Sequence, residues 1–343
     1  MNIFIDPPEQ HTKEQPEPLF EPRIESAANR MPTFTQLGVA LGMLVVVFAA
    51  SYVPQLARDR KDTPAPAVER ATASEPLPIE IDHYENIDIT AHAAYVWDMK
   101  NQRALYNKNA SERLPLASLT KLMTILVAAE QLPPSALVPI TDEALLQEGD
   151  SNFALGETFT LRDLADFTLV TSSNDGAYAL AAAAGTTLTE NTSAVDAFIE
   201  AMNIKAEHIG LTDTRFLNPT GLDIGSTTNG GYGSARDMAF LMEYLIERHP
   251  DLLTETREET AFIESSLGAV FTAINTNEVT NRIPGLVGSK TGFTDLAGGN
   301  LVIAFNAGLN RPIIIAVLGS TREGRFSDIL ELIDRTQRTL TDA

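Results

Sequence analysis

The chain has 343 residues, of which 44% are hydrophobic, so it is long and apolar enough to bury a sizeable core. Its 46 acidic residues outnumber the 25 Lys and Arg residues, and the formal charge of −21 argues against nucleic acid or an anionic membrane surface as a partner. The absence of cysteine excludes disulfides, thiol catalysis and cysteine metal sites. The five histidines show no metal-ligand spacing, and we therefore expect no metal or other cofactor.

The first 78 residues divide into three segments by composition. Residues 1–33 are rich in proline and glutamate, which predicts a disordered acidic tail. Residues 37–53 carry no charge, and the stretch 34–53 just reaches the length that spans a bilayer. Residues 54–78 contain five prolines among small and charged residues, which predicts an extended spacer. The folded domain is therefore expected over residues 79–343.

Two interpretations of the apolar stretch 34–53 remain open. Ala49, Ala50 and Ser51 provide a small-residue cleavage site, so the stretch can be a signal peptide. The preceding tail is long and acidic, however, whereas a signal peptide begins with a short basic region. This contrast favours an uncleaved, single-pass transmembrane anchor.

The hydrophobic pattern of residues 79–343 predicts strands at both ends and helices between them. A β-hairpin is predicted over residues 94–99 and 103–106, with a turn at Lys100 and Asn101. Helices are expected at residues 118–130, 161–170, 175–184, 193–208, 235–248 and 325–340, and strands at residues 286–291, 300–305 and 312–318. This order predicts an α+β fold, in which an antiparallel sheet is flanked by helices and carries an inserted helical subdomain.

The helix at residues 118–130 carries a serine and a lysine three residues apart at its start. It is apolar on nearly every face, so we expect Lys121 to be poorly solvated and able to lose its proton near neutral pH. Residues i and i+3 share a helix face, so the Lys121 amine can activate the Ser118 hydroxyl as a nucleophile. Free N–H groups at the helix start suit a developing oxyanion. Since serine and lysine are common residues, this pair alone is weak evidence, and many such pairs lie on solvated helix surfaces.

Two further motifs follow in the chain. The polar run at residues 171–175 separates two predicted helices, and it either presents side chains on a loop or uses Asn174 or Asp175 as a helix cap. Lys290, Thr291 and Gly292 lie on an apolar predicted strand, where the glycine permits close approach of a substrate backbone beside a positive charge.

The three motifs, S-x-x-K, S-x-N and K-T-G in this order, are typical of penicillin-binding proteins and class A β-lactamases. The residues around them narrow the resemblance. The chain resembles the low-molecular-weight D-alanyl-D-alanine carboxypeptidases from about residue 93 to residue 340, at residues 115–124, 172–175, 218–223, 234–239 and 290–294. Five matched stretches in one order make a chance match very improbable.

The resemblance implies roles for the first two motifs. Ser118 corresponds to the nucleophile that attacks the carbonyl between two D-alanines, and Lys121 corresponds to its base. Ser172 would help to pass the proton to the leaving amine. The amide of Asn174 would hold both the substrate backbone and Lys121.

The resemblance also implies a binding site for the end of the substrate. Lys290 and Thr291 would grip the terminal carboxylate of the peptide, and Gly292 would leave room for it. The N–H groups of Ser118 and Phe293 would form the oxyanion hole. The expected partners are a peptidoglycan stem peptide ending in D-Ala-D-Ala and β-lactams as covalent inhibitors, so the domain is expected outside the cytoplasm of a bacterial cell, tethered to the membrane.

The sequence departs from the family pattern in two ways. Ser173 stands where such enzymes often have Gly or Ala, a change that we expect to be tolerated. A C-terminal β-sandwich stalk, which many relatives carry, is not expected here, so the N-terminal anchor and spacer would provide the tether.

Three alternatives share the same site. A β-lactamase is disfavoured because neither Leu217-Asn218 nor Leu309-Asn310 has the glutamate of an E-x-x-L-N motif. An endopeptidase that cuts D-Ala cross-links uses the same motifs. A sensor that β-lactams acylate without useful turnover would also retain the nucleophile.

Overall fold

The computed structural model describes residues 83–342 of the chain. The predicted tail, anchor and spacer lie outside the described residues, so these assignments stay predictions, as does the start of the folded domain at residue 79. Between residues 83 and 342, no helix is both long enough and apolar enough to cross a bilayer.

The described part of the chain contains twelve strands and seven α-helices. The strands are β1 (Ala93–Asp98), β2 (Arg103–Lys108), β3 (Leu114–Pro115), β4 (Leu137–Pro139), β5 (Thr158–Thr160), β6 (Arg215–Phe216), β7 (Gly231–Gly233), β8 (Thr260–Glu264), β9 (Val270–Ile274), β10 (Leu286–Thr294), β11 (Gly298–Asn306) and β12 (Pro312–Ser320). The α-helices are α1 (Thr120–Gln131), α2 (Asp142–Leu145), α3 (Leu161–Thr171), α4 (Asn174–Gly185), α5 (Ala194–His208), α6 (Ala235–Arg248) and α7 (Gly324–Thr341). Short 3-10 helices occur at Ala117–Leu119, Pro250–Leu253, Glu255–Arg257 and Thr280–Arg282.

The predicted hairpin and the three predicted C-terminal strands form one five-stranded sheet in the order β10-β11-β12-β1-β2. Every pairing in it is antiparallel, and Val96 of β1 lies opposite Ile315 of β12. The sheet thus joins the two ends of the described domain, as predicted. Among the described strands, β10 pairs only with β11, so it forms one edge of the sheet.

The two faces of the sheet pack against different helices. Successive strand residues point to opposite faces, so Val302 and Ile303 enter separate hydrophobic cores. Ile303 packs in a core with Ile329 of α7, while Val302 belongs to the larger core that contains α1 and α6. The helices between β2 and β10 form the inserted helical part, which confirms the predicted α+β fold.

Serine and threonine side chains set the starts of several central helices. The capping residues of α3, α4, α5 and α6 are Thr160, Ser173, Ser193 and Ser234, respectively. The interpretation that Asn174 or Asp175 caps α4 is wrong, because Ser173 Oγ accepts the Gly176 N–H at 2.9 Å. The Asn174 side chain is therefore not used as a cap.

The hairpin of β8 and β9 was not predicted from the sequence. Along β8, buried Ala261 and Ile263 alternate with exposed residues, and Phe262 is 73% exposed. This alternation is the pattern of a strand with one solvated face. The hairpin lies near the second motif and forms one wall of a groove described below.

Asp328, on the first turns of α7, ties this helix to the start of β1 and the end of β12. Its carboxylate accepts the N–H groups of Thr90 and Ala91 at 2.9 and 2.8 Å and the hydroxyl of Ser320 at 2.6 Å. Asp328, Ala91 and Ser320 are buried, so the Ala91 N–H and the Ser320 hydroxyl have no access to water as a substitute partner.

We predict that Asp328→Ala lowers the free energy of unfolding by about 3 kcal/mol, because it leaves two buried donors, the Ala91 N–H and the Ser320 hydroxyl, without an acceptor. Urea unfolding followed by circular dichroism measures this change. The matched control is Asp334→Ala on the same helix, which removes an exposed ion pair with Arg338 and should cost no more than about 0.5 kcal/mol. Equal losses in the two variants would contradict the role given to Asp328.

Candidate active site

The first motif lies where a strained turn feeds helix α1. Ala117 has a positive φ of 48°, which is uncommon for a residue with a side chain, and it opens the short 3-10 helix that carries Ser118. Asn300 of β11 fixes this turn, since its Nδ2 donates to the carbonyls of Pro115 and Leu116 at 2.9 and 3.0 Å. The sheet therefore holds the nucleophile segment in place.

Lys121 is fully buried on α1, as the apolar pattern predicted. Its amine lies within hydrogen-bond distance of three oxygens: Ser118 Oγ at 2.9 Å, Asn174 Oδ1 at 2.7 Å and the Thr220 carbonyl at 2.7 Å. Burial lowers the pKa of Lys121 from 10.5 to about 7. A neutral amine at this distance can accept the Ser118 proton, so the pair has the geometry of a nucleophile and its base.

The second motif lies at the junction of α3 and α4. Ser172 follows α3 in the left-handed conformation, with a φ of 65°, and Asn174 begins α4. The Asn174 amide bridges two segments: its Oδ1 accepts from Lys121, and its Nδ2 donates to the Glu148 carbonyl at 2.6 Å. Ser172 thus lies between the two helices and Asn174 on the first turn of α4, and both side chains face other parts of the site instead of capping the helix.

The third motif places Lys290 beside the second. Lys290 Nζ donates to Ser172 Oγ and to the Thr291 carbonyl, both at 2.9 Å. The pKa of Lys290 lies well below its usual value because of burial and, to a lesser degree, because of the nearby charges of Lys121 and Arg325. The Lys290 amine is therefore directed at Ser172 and not at open solvent, and a substrate carboxylate would meet it only beside Ser172.

Gly292 brings strand β10 against the nucleophile segment. A Cβ at this position would lie 2.9 Å from the Leu116 carbonyl oxygen and 3.2 Å from the Ser118 nitrogen. The glycine is thus needed for close packing of the strand, in addition to any room it leaves for substrate. This contact sets the Ser118 N–H next to the part of β10 that precedes Phe293, the other predicted oxyanion donor.

Thr220 was not recognised as a contributor to the site. Only its backbone carbonyl contacts Lys121, so its side-chain type gave no signal. Asn218 shapes the turn, with its Oδ1 accepting the Gly221 N–H at 2.7 Å and its Nδ2 donating to the Leu222 carbonyl at 2.8 Å. The resemblance at residues 218–223 marked this segment without indicating its role.

Two positions that support the third motif were also missed. Arg325 of α7 is buried and donates to the Gly292 carbonyl at 2.7 Å. Thr276 shares a 2.6 Å hydroxyl contact with Thr291. Neither residue stands in a recognisable motif, because their proximity to the site arises only from the folded sheet.

The chain matches known proteins over most of the described domain. The sequence profile of the D-alanyl-D-alanine carboxypeptidase family, Peptidase_S11, matches residues 80–322. The chain is 30% identical to the D-alanyl-D-alanine carboxypeptidase DacF of Bacillus subtilis over 251 residues, which cover 71% of this chain and 61% of DacF. It is 31% identical to a D-alanyl-D-alanine endopeptidase of Pseudomonas aeruginosa over 240 residues, which cover 67% of this chain and 72% of the relative.

The fold is also similar to that of solved structures. The structure of penicillin-binding protein D2 from Listeria monocytogenes in its ampicillin-bound form superposes with a TM-score of 0.62 and 30% sequence identity, and the match covers 73% of this chain and 98% of that one. The match confirms the penicillin-binding protein fold that the motifs implied. The protein belongs to the D-alanyl-D-alanine carboxypeptidase family of serine peptidases.

Proposed function

We propose that the protein is a serine-type carboxypeptidase that removes the terminal D-alanine from peptidoglycan stem peptides through an acyl-enzyme on Ser118, and that β-lactams acylate the same residue. The observation that carries this proposal is the 2.9 Å contact between Ser118 Oγ and the buried Lys121 amine. An amine with a pKa of about 7 is neutral in a large fraction of molecules at physiological pH, and it is close to the optimum for a general base.

The proposed first half-reaction forms an ester and releases an amine. Lys121 takes the proton of Ser118 while Ser118 Oγ bonds to the carbonyl carbon between the two D-alanines. The C–N bond then breaks, and the proton that Lys121 accepted passes through the Ser172 hydroxyl to the leaving D-alanine nitrogen. Lys290, hydrogen-bonded to Ser172 Oγ at 2.9 Å, orients this hydroxyl. Water then attacks the ester carbon and gives a proton to Lys121, the bond to Ser118 Oγ breaks as Lys121 returns that proton to Oγ, and the shortened peptide is released.

The remaining motif residues would hold the substrate. The N–H groups of Ser118 and Phe293 would stabilise the oxyanion, which is usually the largest electrostatic contribution in acyl transfer. Asn174 would contact the peptide backbone of the substrate. Lys290 and Thr291 would bind the terminal carboxylate, and Gly292 keeps strand β10 close to Ser118.

We also propose that residues 34–53 anchor the protein in the bacterial cell membrane as a single span, with residues 79–343 outside the cytoplasm. The support is the uncharged stretch 37–53 and the long acidic segment before it. Because peptidoglycan lies outside the cytoplasmic membrane, an enzyme with this substrate must face the same side.

We predict that Ser118→Ala abolishes both covalent labelling and peptide cleavage, because it removes the only oxygen that the proposal allows to form the ester. Mass spectrometry after incubation with benzylpenicillin, and separately with a peptide ending in D-Ala-D-Ala, tests this. The control is Ser266→Ala in the exposed β8–β9 turn, which should be labelled like the wild type.

The outcomes for the wild-type protein separate the related activities. A persistent adduct on Ser118 with release of one D-alanine supports the carboxypeptidase. Rapid hydrolysis of benzylpenicillin without peptide cleavage would identify a β-lactamase instead, and an adduct without peptide turnover would identify a sensor. Residual labelling of Ser118→Ala would contradict the assignment of the nucleophile.

We predict that acylation by benzylpenicillin is controlled by the protonation of Lys121. Below about pH 7 the amine is protonated and cannot accept the Ser118 proton, so the second-order rate constant should fall about tenfold for each pH unit below 7 and level off above it. Stopped-flow measurements from pH 5 to pH 9 at constant ionic strength test this, with circular dichroism to verify folding. The pKa of the other lysine of the site, Lys290, is also well below its usual value, chiefly because of burial and further because of the charge of Lys121. A rate constant that does not change over this range would exclude Lys121 as the base.

A groove beside the second motif favours endopeptidase activity as a second candidate function. It has a volume of about 490 Å³ and runs from Ser172 between the loop at residues 149–152 and strand β9. Ser172 is the residue proposed to serve the leaving amine, so the groove opens on the leaving-group side. Its volume lies in the range of sites that hold drug-sized ligands, far more than one D-alanine requires.

We predict that Thr272→Trp, which adds bulk to the exposed face of β9 in this groove, lowers cleavage of cross-linked muropeptide dimers by at least fivefold, because the larger leaving group then has less room. Release of D-alanine from an uncross-linked pentapeptide should remain within twofold, because a single D-alanine does not fill the groove. Liquid chromatography of the two reactions measures both rates, and Leu267→Trp at the hairpin turn, outside the groove, is the control. Parallel loss of both activities would contradict a separate subsite, and absence of any dimer cleavage by the wild type would exclude the endopeptidase.

A further inference from the structure

The loop at residues 147–152 lies between helix α2 and strand β5 and packs against the second motif. Gly149 and Asn152 both have positive φ, 100° and 59°, and the Asn152 N–H bonds to Asp150 Oδ1 at 2.7 Å. Local backbone preferences and this hydrogen bond therefore shape the loop itself. Its position on the protein depends on separate contacts.

The loop reaches the catalytic residues through one backbone carbonyl. The Glu148 carbonyl accepts from Asn174 Nδ2 at 2.6 Å, while Asn174 Oδ1 accepts from the Lys121 amine at 2.7 Å. The two ends of a primary amide are chemically different, since one only donates and the other only accepts. A donor on one side and an acceptor on the other thus fix how this amide faces Lys121.

Two hydrogen bonds from Ser151 hold the loop against the start of α4. Ser151 Oγ lies 2.6 Å from Ser173 Oγ, and the Ser151 N–H donates to Asp175 Oδ2 at 3.1 Å. Ser173 Oγ also accepts the Gly176 N–H as the helix cap, which a hydroxyl with one proton and two lone pairs can do at the same time. Ser173 and Asp175 are both buried and Ser151 is half-buried, so these contacts are partly sheltered from water.

We propose that Ser151 is a positioning residue for the acylation step: through its hydroxyl contact with Ser173 it holds the Glu148 carbonyl against Asn174 and thereby fixes the amide that contacts Lys121. The proposal rests on the proposed function of the same site. It also gives a role to Ser173, whose hydroxyl both contacts Ser151 and caps α4. An alanine at this position would have no hydroxyl, so its side chain could neither contact Ser151 nor cap α4.

The first test is the variant Ser151→Ala, which removes the hydroxyl contact but leaves the cap of α4 in place. We expect its second-order rate constant for acylation by benzylpenicillin to be about fivefold to tenfold lower, the loss that corresponds to one neutral hydrogen bond. The thermal midpoint should be unchanged, because Ser151 is half-buried and belongs to a loop. Ser151→Thr keeps the hydroxyl and should restore the rate.

A double-mutant cycle with Asn174 distinguishes positioning from a general structural effect. In an Asn174→Ala background there is no amide to orient, so adding Ser151→Ala should not lower the residual acylation rate further. If Ser151→Ala lowers the rate by the same factor in both backgrounds, Ser151 does not act through Asn174 and the proposal is overturned.

A serine that caps another helix provides the matched control for the Ser→Ala substitution. Ser193→Ala removes the cap of α5, which carries none of the three motifs, and should leave the acylation rate unchanged even where it lowers the thermal midpoint. Ser173→Ala should lower both quantities, since it removes the cap and the contact with Ser151 together. A wild-type rate in Ser151→Ala would overturn this proposal alone, whereas absence of a Ser118 adduct in the wild-type protein would overturn the proposed function.

Discussion

The amine of Lys121 is buried among apolar side chains, and most of the active-site architecture serves to keep it hydrogen-bonded there. Burying an amine without partners costs several kcal/mol or removes its proton. Here, three oxygens from different parts of the chain converge on it, from Ser118 on the neighbouring turn, from Asn174 at the start of α4, and from the Thr220 carbonyl. The inserted helices and the loop before β7 must therefore adopt fixed positions relative to α1.

The same constraint explains why a strongly acidic protein leaves its two central lysines without carboxylate partners. Among the contacts described for residues 83–342, the amines of Lys121 and Lys290 bond to hydroxyl, amide and carbonyl oxygens. A carboxylate at this distance would stabilise the ammonium form and raise its pKa. Because the acceptors are neutral, burial is the dominant effect on the pKa of Lys121. Its amine can therefore accept a proton at neutral pH. The acidic residues that give the chain its net charge of −21 are not among these hydrogen-bond partners of Lys121 and Lys290.

Hydrophobic periodicity predicted the long helices and the strands of the main sheet, and the three motifs predicted which side chains would meet. What the sequence did not reveal were contacts made by main-chain atoms, such as the carbonyls of Thr220 and Glu148, because backbone oxygens are common to every residue. The cap of α4 was also misassigned, since Ser173, Asn174 and Asp175 are all good capping residues and only the folded backbone selects one. The predicted anchor at residues 34–53 stays a prediction.

Two strained residues show how the sheet contributes to the chemistry. Ala117, before the nucleophile, and Ser172, in the second motif, have positive φ values of 48° and 65°, and each such conformation costs about 1–3 kcal/mol for a residue with a side chain. Strain of this kind persists only where surrounding contacts over-determine it. The backbone beside Ala117 is held by Asn300 of β11, and the Ser172 hydroxyl is held by Lys290 of β10.

Strands β10 and β11 are hydrogen-bonded neighbours in the five-stranded sheet. The segments that carry Ser118 and Ser172 are therefore both held by the same sheet. Their separation is therefore set by strand spacing, which varies little, and not by the loops that carry them. The inserted helical part supplies Lys121 and Ser172. The edge of the sheet, through β10 and β11, holds the segments that carry them at a fixed separation.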